Sequence, residues 1–326
     1  MNAPTANCFA RAGLCVSIII ATLRRKALMA EFLNNNLQYL LNGILAGSLY
    51  ALIAIGYTMV YGILRLINFA HGDMFMVAGL VMIFIISNGA PLWLGVILVL
   101  VMTVALGVVI EKAAYKPLRS APRMSVMISA IGVSYLLQNC ALYFTGGLPR
   151  TYPAIPMLKE KHTIGGITIE SVFIVTPILT LLLVVALVLL IKHTKIGMAM
   201  RAVSKDFETS QLMGIKINSV ISFTFIIGSF LAAVGSMFYF SKYTTVVPLS
   251  GSMPGLKAFV AAVFGGIGSI PGAVIGAFII GICENLIKGM GEGWTVFSDA
   301  FTFALLIIVL LVKPTGIFGE KTTDKV

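Results

Sequence analysis

Three polar side chains stand close together in a segment that is otherwise apolar. Asn68, His71 and Asp73 lie in the stretch LINFAHGDMFMVAG, which runs from Leu66 to Gly79. Charged and polar groups inside a bilayer are costly, so their presence calls for a partner or a role. Two interpretations stay open. Either Asn68 caps a helix near the membrane interface and Asp73 favours the positive end of that helix, or all three belong to a gate or a substrate path.

Two further pairs of polar residues interrupt apolar runs elsewhere in the chain. Glu284 and Asn285 lie in GICENLIKG, and Gln138 and Asn139 lie in YLLQNCAL. Such residues either form hydrogen bonds between membrane helices or line a path through them. We group Glu284 with the path candidates.

Known catalytic patterns are missing from the sequence. The three histidines are scattered, and the four cysteines lack the spacing of a metal site. Neither H-E-x-x-H nor G-x-S-x-G occurs, and no G-x-x-x-x-G-K-[ST] loop is present to bind nucleotide. We therefore predict a protein that is not an enzyme, with no catalytic residue, metal site or cofactor of its own.

The composition indicates which elements position these residues. Of the 326 residues, 59% are hydrophobic and 11% are charged, whereas soluble proteins carry about 25% charged residues. Several apolar runs approach the roughly 20 residues that cross a bilayer as a helix, and they lack the alternation of a β-barrel. We predict an all-α polytopic membrane protein. The net charge of +11 indicates cytoplasmic loops and not nucleic-acid binding.

The hydrophobicity pattern predicts about eight or nine transmembrane segments. Apolar segments fall at about 37–63, 67–86, 92–110, 126–145, 172–191, 220–240, 256–287 and 300–312. The loops 111–124 and 192–219 and the C-terminal tail are rich in Lys and Arg, so we expect them on the cytoplasmic side. The loop 146–171, rich in Pro and Gly, should face outside.

The long segment 256–287 should contain a broken or re-entrant helix pair. With 192–219 and the tail on the same side, this segment must return to the face it entered or cross twice. The break is predicted at GGIGSIPG (Gly265–Gly272), where Pro271 suits the first helical turn and Ser269 suits a cap. We expect two half-helices there. Gly268 and Pro271 join the path candidates, since amide groups at such a helix start favour a carboxylate.

The first 28 residues fit the rest of the chain poorly. They are basic and contain an apolar run too short to span a membrane. We interpret them as an N-terminal extension, from an upstream start or a leader, with Met29 as an alternative start. Residues 29–326 then form a single transmembrane domain, and deleting residues 1–28 should leave its function intact.

The loop 192–219 concentrates charge in an apolar chain. It carries five Lys/Arg and two Asp/Glu, and its centre, 197–215, has amphipathic helix spacing without a turn residue before Gly214. A solvated linker is one interpretation. A short helix displayed to a partner at the membrane face is the other.

Four stretches together resemble a known family in order and spacing. The resemblance runs from about Met29 to the C-terminus, with no counterpart for the first 28 residues. The stretches are INFAHGDMFMVAG (67–79), AYKPLRS with SAIGVSYLLQN (114–139), KAFVAAVFGGIGSIPGAVIG (257–276) and KPTGIFG (313–319). The chain resembles the LivH-type permeases of bacterial inner-membrane ABC importers for branched-chain amino acids.

The resemblance implies partners and a mechanism. A LivM-type second permease, two cytoplasmic ATP-binding subunits and a periplasmic amino-acid-binding protein would complete the transporter, with ATP bound by the partner subunits. ATP-driven movement of a coupling helix would switch the bundle between its two openings. The chain departs from the family pattern at Lys205 and Ser210. The positions that match the coupling helix are Gly197, Arg201, Ala202, Asp206, Gly214 and Ile215.

Other transport functions remain open from the sequence. A urea, amide or other amino-acid permease of the same family shares many of these motifs. A stand-alone channel or secondary carrier would need no coupling helix and no ATP. In every case the chain is predicted to lie in the inner membrane with a cytoplasmic C-terminus.

Overall fold

The computed structural model describes residues 37–119, 121–164, 167–313 and 315–319. The predicted extension, residues 1–28, lies outside the described residues. Within them, eight helices are long and apolar enough to cross a membrane, which confirms an all-α polytopic membrane protein. The helices are α1 (Leu37–Leu64), α2 (Ala70–Ser87), α3 (Leu92–Ile110), α4 (Arg123–Thr145), α5 (Pro156–Lys159), α6 (Val172–His193), α7 (Lys195–Lys205), α8 (Phe207–Leu212), α9 (Ile217–Lys242), α10 (Ser252–Gly265), α11 (Ile270–Gly289) and α12 (Glu292–Val312).

Four short strands lie in the connections between these helices. They form two antiparallel pairs, β1 with β4 and β2 with β3. The strands are β1 (Arg150–Thr151), β2 (Lys161–Ile164), β3 (Ile167–Glu170) and β4 (Thr245–Val246).

The helices α1 and α9 form the centre of the bundle. Most of their side chains are buried, whereas most side chains of α3, α4, α6 and α12 are at least partly exposed. The exposed side chains of these outer helices are largely Leu, Ile, Val and aromatic residues, which suit contact with lipid. Because lipid is as apolar as these side chains, the hydrophobic effect does not drive the central helices together. Their association depends on surfaces that fit closely.

Glycines supply that close packing where α1 crosses α11. A Cβ built at Gly43 would lie 2.8 Å from the Cα of Ile282, and one at Gly47 would lie 2.8 Å from the Cα of Phe278. The two backbones therefore touch at these positions. The small-residue spacing of α1 is used for helix contact, as its sequence indicates.

The predicted break between residues 265 and 272 is present. The helix α10 ends at Gly265, and α11 begins at Ile270 with Pro271 in its first turn. The Ser269 hydroxyl accepts a hydrogen bond from the Gly272 amide at 3.3 Å, so Ser269 is the cap. Glycines 265 and 272 are in backbone contact, and the two helices form an antiparallel hairpin.

Only one arm of this hairpin is short. The helix α10 has 14 residues and α11 has 20, which at 1.5 Å per residue gives about 21 and 30 Å. The expectation of two half-helices is therefore corrected, because α11 alone is long enough to span a bilayer. The polar residue Glu284 does not end α11, because Lys288 of the same helix, Lys257 of α10 and Tyr50 of α1 hold its carboxylate.

The basic segments meet on one side of the bundle, which we call the basic face (residues 111–119, 121, 194–219, 313 and 315–319). Arg119 bonds to Asn218, and the Arg65 guanidinium donates to the carbonyl of Ser204 at 3.3 Å. The Phe318 amide donates to the carbonyl of Gly265 at 2.9 Å, which places the tail against the α10–α11 turn.

The opposite side of the bundle carries the strands, and we call it the strand face (residues 146–164, 167–171 and 243–251). Strand β1 pairs with β4 there, and Lys242 forms an ion pair with Glu170 at 3.3 Å. The loops predicted to share one side of the membrane thus share one face of the fold.

Candidate functional site

The first turn of α2 brings the three polar residues of the opening motif into the bundle. The helix begins at Ala70, and the residue at the cap position is Phe69, without a side-chain cap. The Asn68 side chain instead accepts a hydrogen bond from the hydroxyl of Tyr115 at 2.9 Å. The capping interpretation is therefore wrong for Asn68. Its side-chain oxygen accepts a hydrogen bond from the buried tyrosine hydroxyl and not from an amide of α2.

The ring of His71 is buried at the crossing of α1, α2 and α9. It contacts Tyr57 edge-on, with the ring centroids 5.0 Å apart. Gly56 leaves the space for the ring, since a Cβ there would collide with it, and Gly228 lies beside it. Within the described residues its Nε2 atom has no hydrogen-bond partner. A buried nitrogen of this kind is uncommon in native proteins.

Asp73 is held by groups of α4. Its carboxylate accepts hydrogen bonds from the hydroxyl of Ser134 and from the amide of Gln138, the latter at 3.0 Å. The same Gln138 nitrogen lies 3.5 Å from the hydroxyl of Ser252 at the start of α10. We call these four residues the Asp73 cluster; it joins α2, α4 and α10.

A second buried cluster surrounds Glu284, and we call it the ionic cluster. Lys257 and Lys288 lie 2.8 and 2.6 Å from the Glu284 carboxylate, and the Tyr50 hydroxyl donates to it at 3.0 Å. Lys257 also pairs with Asp299 at 2.6 Å. Sequence reasoning did not single out Lys257, because its partners come from α11 and α12 and no spacing along the chain relates them.

The two polar pairs of the sequence divide between inter-helix and local bonds. Gln138 and Glu284 bond across helices, whereas Asn139 and Asn285 donate to carbonyls four residues earlier in their own helices. No hydrogen bond or ion pair of the described residues joins Glu284 to α2.

Tyr243, just after α9, lies near the ionic cluster. Burial raises the pKa of its hydroxyl, and the negative charge of Glu284 raises it further.

Gly268 and Pro271 lie apart from both clusters. Both are exposed in the α10–α11 turn, on the basic face beside the tail. Gly268 has a φ of 98°, and a Cβ built on it would meet nothing within 4 Å. The structure thus does not bring these two path candidates together with Asp73.

The predicted coupling helix is two helices. It divides at Asp206, whose backbone is extended, and whose carboxylate accepts from the amide and the hydroxyl of Thr209 at 3.1 and 2.6 Å. The expectation of one helix over 197–215 is corrected for this reason. An aspartate stabilises a helix start better than a helix interior, because its side chain bonds to nearby backbone amides.

Two glycines set the ends of this segment. Gly197 packs against the backbone of Ile191, where a Cβ has no room. Gly214 has a φ of 82°, and beside it the Ile215 amide bonds to the carbonyl of Ser210 at 3.1 Å. This is a glycine helix terminus that a side chain would strain, so both glycines and Ile215 have a structural role in the segment.

The outer surface of the segment mixes charged and apolar residues. Arg201 is exposed and donates to the carbonyl of Lys192 at 3.3 Å, while Ala202 is half-buried. Leu212 and Met213 are 88% and 79% exposed. Sequence reasoning gave these two no role, although apolar residues exposed at an aqueous face often mark a protein interface.

A family model described as "Branched-chain amino acid transport system / permease component" matches residues 39–310. The chain belongs to this family of permeases. It is 41% identical over 304 residues to the high-affinity branched-chain amino acid transport system permease protein LivH of Escherichia coli (strain K12), which covers 89% of this chain and 97% of that protein.

This permease is also similar to a second transport protein and to one solved structure. It is 38% identical over 302 residues to the permease protein BraD of Pseudomonas aeruginosa, which covers 89% of this chain and 98% of that protein. Among solved structures, PsaBC from Streptococcus pneumoniae in complex with Fab covers 89% of this chain and 98% of its own, with a TM-score of 0.47 and 12% identity. That likeness is too low to support an argument about fold.

A third buried acid of the permease lies at the basic face. Glu111, in the π-turn that extends α3, pairs with Arg119 and accepts from the Ser222 hydroxyl at 2.9 Å. Arg119 also bonds to Asn218. The loop after α3 is thereby tied to the start of α9, a contact that the sequence presents only as loop charges.

Proposed function

We propose that this permease is a transmembrane subunit of an ABC importer that moves leucine, isoleucine and valine across the bacterial inner membrane by alternating access. The similarity to branched-chain permeases over most of the chain supports the transported class. The observation that carries the ABC mechanism is the exposed apolar tip of α8, Leu212 with Met213, on the basic face.

The partners follow from this function. Two ATP-binding subunits dock at the basic face and bind the ATP, since the sequence has no phosphate-binding loop of its own. A LivM-type permease completes the path, and a periplasmic binding protein delivers the amino acid to the strand face.

The basic face is assigned to the cytoplasm. Its segments carry most of the Lys and Arg of the described loops, and short basic loops are retained on that side of a membrane. The C-terminal tail packs against the α10–α11 turn and is therefore cytoplasmic as well. The strand face is then periplasmic.

The helices α7 and α8 act as the coupling element. Met200 and Val203 anchor α7 to the bundle by their burial, and the contact from Arg65 to Ser204 joins it to the end of α1. Leu212 and Met213 lie exposed at the C-terminal end of α8, where an ATPase can contact them. A movement of the docked ATPase is therefore transmitted to the ends of α1 and α9 together.

The test uses the complete transporter in proteoliposomes with ATP and loaded binding protein. We expect Leu212→Glu to lose copurifying ATPase and the ATP turnover that loaded binding protein stimulates, because a carboxylate cannot enter an apolar pocket without cost. Leu212→Met is the matched control, since it keeps an apolar side chain at the same exposed position.

Three outcomes would contradict the proposal. Stimulated ATP turnover in Leu212→Glu equal to that in Leu212→Met contradicts the assignment of Leu212 to the coupling surface. Uptake that proceeds without ATP indicates a channel or secondary carrier. A binding protein that urea or amides stabilise in a thermal-shift screen, and leucine does not, contradicts the proposed substrate class.

A further inference from the structure

Three buried acidic side chains are described in the structure, and two of them have cationic partners. Glu111 pairs with Arg119, and Glu284 pairs with Lys257 and Lys288. Asp73 is equally buried, at 2% exposure, but within the described residues it has no Lys, Arg or His partner. Its hydrogen bonds come from the neutral groups of Ser134 and Gln138.

This difference points to a ligand. A buried carboxylate is costly unless it is paired, and acidic residues inside a membrane protein are usually paired or functional. The fold supplies a cation to each of the other two buried acids, so the missing cation at Asp73 is supplied from outside. The proposed substrates are zwitterions that each carry one primary ammonium group.

The residues that hold Asp73 reach the surface of the bundle. Ser134 and Gln138 lie near the middle of the 23-residue α4 and are half-buried, and Ser252 at the start of α10 is exposed. Tyr135, next to Ser134 in α4, and Leu256, four residues after Ser252 in α10, are 62% and 41% exposed. Polar groups with an aromatic ring and a leucine close by along the chain suit an amino acid with an alkyl side chain.

We propose that Asp73 binds the ammonium group of the transported amino acid as it passes through the permease. Gln138 occupies the carboxylate in the empty state by donating a neutral N–H. The ammonium, with three N–H donors and a full charge, forms stronger hydrogen bonds to a carboxylate and takes its place. The inference rests on the proposed function and deepens it, because urea or a neutral amide offers no such cation.

The first test replaces the charge at constant size. In the reconstituted transporter, Asp73→Asn should reduce the maximal rate of ATP-dependent leucine uptake by about tenfold or more, since a charge-assisted hydrogen bond is about twice as strong as a neutral one. Asp73→Glu should recover much of this rate. The apparent KM for loaded binding protein should not change, because that protein contacts the strand face.

The second test places a cation in the site permanently. Gln138→Lys brings an ammonium beside Asp73, so we expect it to block uptake while the complex melts at or above the wild-type temperature. Gln138→Met is the matched control, with similar length and no charge, and should transport faster than Gln138→Lys. This pair decides the question if Asp73→Asn fails to assemble.

The outcomes separate the two proposals. Undiminished uptake by Asp73→Asn beside an active wild type overturns the Asp73 site and leaves the importer intact. Equal uptake by Gln138→Lys and Gln138→Met also overturns the site. A wild-type complex without ATP-dependent leucine uptake overturns the proposed function itself.

Discussion

Removing the two partners of the Glu111–Arg119 pair separately should have unequal effects on stability. The Glu111 side chain is 1% exposed and that of Arg119 is 21% exposed. Arg119→Gln therefore leaves a carboxylate in the interior with the Ser222 hydroxyl as its remaining donor. Breaking a buried pair in this way costs about 3–5 kcal/mol of the free energy of unfolding.

The reverse substitution should cost less. After Glu111→Gln, the guanidinium of Arg119 keeps its bond to Asn218 and has access to water. The loss is that of one charge-assisted hydrogen bond, about 1.5 kcal/mol at the low end of its range. The double variant has no buried charge at this site, so it should be more stable than Arg119→Gln alone.

The measurement is unfolding of the purified permease in detergent, by heat or denaturant, for the four members of this double-mutant cycle. The order expected is wild type, then Glu111→Gln, with Arg119→Gln the least stable. If Arg119→Gln unfolds no more easily than Glu111→Gln, the argument from burial is refuted. Additive losses in the double variant would refute the pairing.

Three further predictions concern other parts of the bundle. Gly47→Val should destabilise the permease by about 1–3 kcal/mol through overpacking against α11, whereas Gly132→Val, where a Cβ meets nothing within 4 Å, should leave the melting temperature nearly unchanged. Lys257→Met should lower the melting temperature more than Lys288→Met, because Lys257 is the less exposed and pairs with two acids; equal shifts would contradict this. Asp206→Ala should cost about 1 kcal/mol by removing the cap of α8, seen as faster hydrogen exchange there, and unchanged exchange would argue against the cap.

Much of the bundle could be predicted because apolar length is a local property. The segments predicted at 37–63 and 92–110 correspond to α1 and α3 within a residue or two. The segment predicted at 300–312 begins eight residues too late, since α12 starts at Glu292. The sequence there is polar, but Asp299 pairs with Lys257 and Thr302 bonds to the carbonyl of Ser298 in its own helix.

Some of the helix boundaries in the path and coupling segments could be predicted from the sequence. Gly265–Gly272 was recognised as a break because glycine and proline act on the backbone locally. The division of the coupling segment at Asp206 was missed, since an aspartate is compatible with an exposed helix surface and with a cap, and only its contact to Thr209 distinguishes them. The coupling and path roles of these residues stay predictions.

The sequence by itself determined the membrane class of the protein, the side shared by its basic loops and the position of the helical break. These follow from hydrophobicity, charge counts and backbone preferences, which need no knowledge of neighbours. Only the tertiary structure decided that Glu284 also pairs with Lys257 of another helix, and that Asp73 has no cationic partner among the described residues. The reason is physical: ion pairs between helices depend on how α10, α11 and α12 cross, and no periodicity along the chain records those crossings.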